Sequence, residues 1–178
     1  MGGGLKLNTI YLVGFMGCGK TSVGRELSKR LEVPPYDVDS TVEKDRGLTI
    51  KEIFKNEGEE AFRNYESLAI RQLPVQHAVV MTGGGAVVRE ENLTYMKNNG
   101  IVIYLKTSFP VLWSRLMKEE ERNKRPILLT SSKEEVQKLF NERSSHYEQS
   151  DIVIVTDQLT TEEVCAQILD ELSRLNIR

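Results

Sequence analysis

The stretch GFMGCGKT at residues 14–21 follows directly on the apolar run IYLV at residues 10–13, and no other stretch restricts the fold as tightly. Three glycines fall within six positions, and a lysine and a threonine close the stretch. A hairpin turn needs fewer glycines, and a helix start disfavours them. The spacing of Gly14, Gly19, Lys20 and Thr21 is that of G-x-x-x-x-G-K-[ST], a strand-to-helix loop whose backbone N–H groups cradle phosphate oxygens. Such a loop needs a strand before it and a helix after it. Both are legible: Ile10–Val13 is apolar throughout, and Val23, Leu27 and Leu31 recur at helical spacing. A glycine-rich turn without a ligand is the plain alternative. The flanking strand and helix favour phosphate, with Lys20 reaching the β and γ oxygens and the Thr21 hydroxyl ligating Mg²⁺.

The rest of the chain alternates in the same way. Candidate strands are Thr9–Val13, Pro35–Asp39, Ala78–Met81, Ile101–Leu105 and Ile152–Val155, nearly continuous in apolarity as strands buried on both faces should be. Helical periodicity fills Lys20–Leu31 and Glu59–Leu73, and capping boxes begin at Ser132 (with Glu135) and Thr160 (with Glu163). Strand–helix alternation predicts an α/β fold, a parallel sheet with helices on both faces. At 178 residues the expectation is one domain, 1–178.

Lys and Arg total 24 against 26 Asp and Glu, a net charge of −2, so no basic field marks a protein built to grip nucleic acid. Cys18 and Cys165 have neither disulfide-framework nor metal-ligand spacing, which fits a reducing compartment. The longest apolar run, Ile10–Met16, is far below the ~18 residues of a membrane span. The start, MGGGLK, lacks the features of a signal peptide, and residues 1–4 read as a flexible end. A cytoplasmic location is expected. The charged stretch KEEERNK at residues 118–124, before Arg125-Pro126, reads either as a solvated helix end or as a flap over a site.

Other residues invite chemistry. Asp37-Val38-Asp39 closes the second candidate strand, where ligands of open parallel sheets sit. Strand alternation would point both carboxylates one way and Val38 the other, to hold a magnesium-bound water and a substrate hydroxyl. The plain alternative is a capping Asp before a helix at Ser40. Gly83–Gly85 either admits a ligand close to the backbone or forms a flexible turn. Arg63, Arg125 and Arg143, taken singly, read as surface arginines. His77 and His146 lack partners at metal-ligand or triad spacing.

Taken in order, G-F-M-G-x-G-K-[ST] at Gly14–Thr21, D-x-D at Asp37–Asp39, F-R-x-x-E at Phe62–Glu66, GGG at Gly83–Gly85, R-P-[IL]-L at Arg125–Leu128 and R-x-x-x-Y at Arg143–Tyr147 run through the chain. The pattern resembles the shikimate kinase family of nucleoside-monophosphate-kinase-like P-loop proteins, from about Thr9 to Leu172. The resemblance implies a three-layer αβα sandwich with a five-stranded parallel sheet of order 2-3-1-4-5 and a mobile lid, about 116–131. It implies transfer of the γ-phosphoryl group of ATP to the 3-hydroxyl of shikimate, within the chorismate route to aromatic amino acids. Gly17, Cys18, Gly19, Lys20, Thr21 and Ser22 would hold the ATP phosphates, with Thr21 on Mg²⁺ and Asp37 steadying the metal through water. Asp39 would hold the shikimate hydroxyls and accept the proton of the attacking one. Arg63 and Arg143 would grip the carboxylate, Gly84 would contact the substrate through its backbone, and Arg125 would reach the phosphates from the lid. The catalytic set is then Lys20, Asp39 and Arg125. The resemblance favours a monomer, acting on small molecules, with no nucleic-acid or membrane partner.

Three departures stand out: Cys18 where the family usually has Ser or Ala, Val38 where Thr or Ser is common, and no basic residue in Thr156–Thr160 directly after the last strand, which leaves Gln158 as the adenine candidate. A gluconate-type P-loop kinase would not be expected to pair Asp39 with Arg63, Gly84 and Arg143. A GTPase-like switch needs N-K-x-D, but Asn123-Lys124 is followed by Arg125-Pro126. A catalytically silent nucleotide-binding relative should have lost Lys20, Asp39 or an arginine, and all are present.

Overall fold

The computed structural model describes residues 8–118 and 126–175. In chain order the elements are β1 (Thr9–Val13), α1 (Lys20–Leu31), β2 (Pro35–Asp37), α2 (Val38–Arg46), α3 (Ile50–Asn56), α4 (Gly58–Gln72) and β3 (Val79–Met81). A 3₁₀ turn (Ala86–Val88), α5 (Glu90–Asn99), β4 (Gly100–Lys106), α6 (Phe109–Leu116), α7 (Pro126–Thr130), α8 (Lys133–Tyr147), β5 (Ile152–Val155) and α9 (Thr161–Arg174) follow. All five strands are parallel, in the expected order β2-β3-β1-β4-β5.

Apolarity and position in the sheet correspond. β1 lies at the centre and is buried along its whole length, from Thr9 to Val13. β5 is an edge strand: Ile152 and Ile154 are buried, while Val153 and Val155 face outward, so it is not covered on both faces as its sequence suggested. β2 forms the other edge and begins with Pro35, a residue that an edge strand tolerates. Among the described residues no helix is long and apolar enough to cross a membrane.

The chain leaves β1 toward β3 and β2, and leaves β4 toward β5, so the sheet reverses direction between β1 and β4. Ligands of such sheets bind in the crevice outside the carboxyl ends at that reversal. The glycine loop follows β1 there.

One expectation is corrected. β2 stops at Asp37, and α2 begins at Val38, so Asp37 and Asp39 are not strand neighbours. Asp37 is the N-cap of α2, its Oδ1 accepting from the Ser40 N–H at 2.9 Å. Asp39 lies in the first helical turn, and Val38 points into the core. The capping boxes at Ser132 and Thr160 are present, and a third, Thr49 with Glu52, starts α3.

Candidate active site

The glycine loop is built to present donors. Gly17 and Gly19 have φ of 81° and 99°, a left-handed backbone that side chains other than glycine adopt at a cost. Gly19 caps α1 without a side-chain hydrogen bond, and no acidic residue occupies the first turn. The first N–H groups of α1 are therefore left for an anion, together with the positive end of the helix dipole. Lys20 lies back across the loop, its Nζ 2.7 Å from the Gly14 carbonyl and 3.3 Å from that of Phe15. Cys18 is buried beneath it, and a Cβ on Gly14 would come within 2.7 Å of its Sγ. Cys18 is thus packing material for the loop.

A cavity of about 1110 Å³ opens over this loop and reaches Asp37, Asp39 and Gly83-Gly84. Asp39 carries a buried Oδ1 with no hydrogen-bond partner among the described residues. Burial foremost, then the charges of Glu66 and Asp37, push its acid up to about 6, against the pull of Lys20 and Arg63. Glu66, on α4, is fully buried. Its Oε2 accepts from Arg63 Nη1 at 2.9 Å, while Oε1 has no partner among the described residues. Burial raises the Glu66 acid as well, opposed by Arg63. Arg63 also pairs with Glu59 at 3.2 Å.

The glycine turn after β3 explains how these groups fit together. A Cβ on Gly83 would lie 2.3 Å from Glu66 Oε1 and 2.9 Å from Asp39 Oδ1. One on Gly85 would lie 2.5 to 2.6 Å from three atoms of the Arg63 guanidinium. These two glycines make room for the protein's own charged groups, and Gly84 between them lines the cavity. Gly84 also faces α8, where a Cβ placed on it would stand 3.8 Å from Arg143 Nη1. Asp39, Arg63, Gly84 and Arg143, far apart in sequence, thus gather beside the phosphate loop.

Arg115, Thr156 and Leu159 also line the cavity. Arg115 Nη1 donates to the Gly17 carbonyl at 3.3 Å. Gln158 is exposed and does not line the cavity. Arg115 carries no sequence signal, since only the packing of α6 against the loop brings it there. Arg125 and the middle of the expected lid lie outside the described residues. Among the described residues no three His, Cys, Asp or Glu side chains cluster as a metal site.

The sequence model of the shikimate kinase family matches residues 16–173. A shikimate kinase of Thermodesulfovibrio yellowstonii is 40% identical over 172 residues, covering 96% of this chain and 98% of the relative. One of Bacillus mycoides is 39% identical over 168 residues, covering 94% and 98%. The solved structure of the shikimate kinase from Acinetobacter baumannii in complex with shikimate superposes with a TM-score of 0.88 at 32% identity, covering 97% of this chain and 96% of that one. The chain belongs to the shikimate kinase family.

Proposed function

We propose that Lys20, Asp39, Arg63, Gly84 and Arg143 perform the family's reaction in this chain, transfer of the γ-phosphoryl group of ATP to the 3-hydroxyl of shikimate. The observation that carries the assignment is the meeting of Asp39, Arg63, Arg143 and the Gly84 backbone, with Glu66 paired to Arg63, beside a helix N-terminus that has no side-chain cap. Shikimate presents one carboxylate and three hydroxyls. Arginine pairs with a carboxylate through two parallel hydrogen bonds, so Arg63 and Arg143 suit that end. Asp39 suits the hydroxyl end: its acid, raised toward neutrality, matches that of a general base for the attacking hydroxyl. Gly17–Ser22 hold the ATP phosphates, and Lys20 exchanges its carbonyl partners for the transferred group. Arg115, Thr156 and Leu159 form the adenine end.

The donor set fits Mg²⁺. The Thr21 hydroxyl and Asp37 both line the cavity, and an ion bound by only one or two protein groups completes its octahedron with water and phosphate oxygens. Such an ion, when bound, withdraws charge from the β and γ phosphates. Thr21 would ligate it directly. Asp37, with Oδ1 held by the Ser40 N–H, would steady it through water. Cys18 and Cys165 are unpaired thiols, which accords with a cytoplasmic setting, and one chain supplies every contact proposed, so a monomer suffices.

The test is ADP release from Mg·ATP by the purified protein with shikimate, and with quinate and gluconate as decoys. Saturable release that depends on shikimate is expected. Arg63→Ala should raise the KM for shikimate at least about tenfold, the worth of a charged hydrogen bond, and leave that for ATP within about twofold. An unchanged shikimate KM in that variant would remove Arg63 from the substrate site.

A further inference from the structure

Tyr147 ends α8 one helical turn beyond Arg143 and is fully buried. Its ring stacks on Tyr104 of β4, centroids 5.1 Å apart. Its hydroxyl donates to the Gly84 carbonyl. Burial raises the phenol well above its ordinary range, against the opposing pull of the Arg143 guanidinium, so the hydroxyl stays protonated and can only donate there.

A turn of three glycines has little stiffness of its own. Its flanks are held by backbone bonds, Ala86 N–H to the Gly83 carbonyl and Val88 N–H to the Gly85 carbonyl, both 3.1 Å. Among the described residues the middle carbonyl, that of Gly84, is held by Tyr147 alone. The Gly84 carbonyl and the Gly85 N–H share one rigid peptide plane, so this single bond sets the tilt of the turn. Residues four apart lie on one face of a helix, so the same face of α8 carries Arg143 and the tie. The Gly84 N–H has no backbone partner among the described residues, which leaves it as a donor for a ligand.

We propose that Tyr147 is a positioning residue for the acceptor substrate, its hydroxyl holding the glycine turn in register with Arg143. The inference rests on the reading that Gly84 and Arg143 hold shikimate. A helix and a glycine turn 63 residues apart in the chain would otherwise be free to shift against each other at the point where both touch one small molecule. A displacement of about 1 Å at such a site is enough to cost up to ~10²-fold in rate.

Tyr147→Phe deletes the hydroxyl and keeps the ring. Its kcat/KM for shikimate should fall about tenfold, with the KM for ATP changed by less than about twofold. Tyr104→Phe alters the same aromatic stack without touching the tie, and should leave both constants within about twofold. Wild type and Arg143→Ala are assayed alongside. If wild type shows no shikimate-dependent turnover, or Arg143→Ala leaves kcat/KM for shikimate unchanged, the functional reading fails and this inference falls with it. If those two behave as expected, three results would overturn the inference alone. These are an unchanged Tyr147→Phe, an equal loss toward ATP and shikimate, and a matching loss in Tyr104→Phe. A measurement on the wild type keeps the question open to refutation should the Tyr147 variant not fold. The slowly exchanging Tyr147 hydroxyl proton should shift in its NMR resonance on saturation with shikimate and stay in place with Mg·ADP, and the opposite pattern would refute the tie.

Discussion

Among the described residues, Asp39 and Glu66 each leave one buried oxygen without a hydrogen-bond partner, and both oxygens face Gly83. Two carboxylates in such a place repel each other and are shielded from solvent, so the ligand-free site holds them at a cost in stability. The acid of Asp39 rises from 3.8 to about 6. A carboxyl that is a weaker acid in the folded chain than in the unfolded one binds more protons when folded. Stability from this group therefore falls as pH rises through the interval from 3.8 to about 6, and stays at the lower level above it. Asp39→Asn removes the charge and keeps the shape. The ligand-free variant should melt a few degrees above wild type near neutral pH, and the gap should close as pH falls through that interval. Turnover should drop about 10²-fold or more, the share of a general base. A variant that melts below wild type near neutral pH would show that the Asp39 charge is stabilised in the fold, against this account.

The turn after β3 shows what an element can require beyond its own backbone. Gly85→Ala would put a methyl group within 2.6 Å of the Arg63 guanidinium, which ends a long side chain and can swing away. The fold should therefore survive, with melting lowered by only a few degrees, while the KM for shikimate rises at least about fivefold. An unchanged KM would mean that the guanidinium has another seat from which it serves equally well. In the sequence the triple glycine reads as room for a ligand. In the structure two of the three glycines make room for Arg63, Glu66 and Asp39, side chains that no local pattern could place there. The strand reading of Asp37-Val38-Asp39 fails for a similar reason. Apolar Val38 between two aspartates mimics strand alternation, yet Asp37 caps a helix, because a carboxylate at the end of a three-residue strand finds the Ser40 N–H within reach. The places of the five strands and the caps at Ser132 and Thr160 are legible because periodicity and capping chemistry are local, whereas the edge position that exposes one face of β5 is not. The parallel order followed from the family resemblance, and the roles of Arg115 and Tyr147 needed the packing of α6 and α8.

At the scale of the whole molecule, the sheet order brings the loop after β1 and the turn after β3 side by side, with α4 and α8 delivering Arg63 and Arg143 from outside the sheet. One cavity thus borders both the N-terminus of α1 and the glycine turn, and the proposed function assigns the nucleotide to the first and the acceptor to the second. A ligand that binds only the folded chain stabilises it by about 2.7 kcal/mol when present at about 100 times its Kd. For a chain of this size that is a rise in Tm of roughly 5–10 °C. Mg·ADP and shikimate should each produce such a rise. Lys20→Met should lose the Mg·ADP shift and keep that of shikimate, and chelation of the magnesium should weaken only the nucleotide's. Arg63→Ala should do the reverse, losing the shikimate shift and keeping the nucleotide's. Arg63, half-buried, pairs with the buried Glu66, so its removal leaves a carboxylate unpaired and should lower the ligand-free Tm as well. The shift, measured against each variant's own ligand-free Tm, separates that structural cost from the loss of a binding group. If Arg63→Ala kept its full shikimate shift while its ligand-free Tm fell, the arginine would serve the buried Glu66 alone, and the carboxylate of the substrate would have to be held by Arg143.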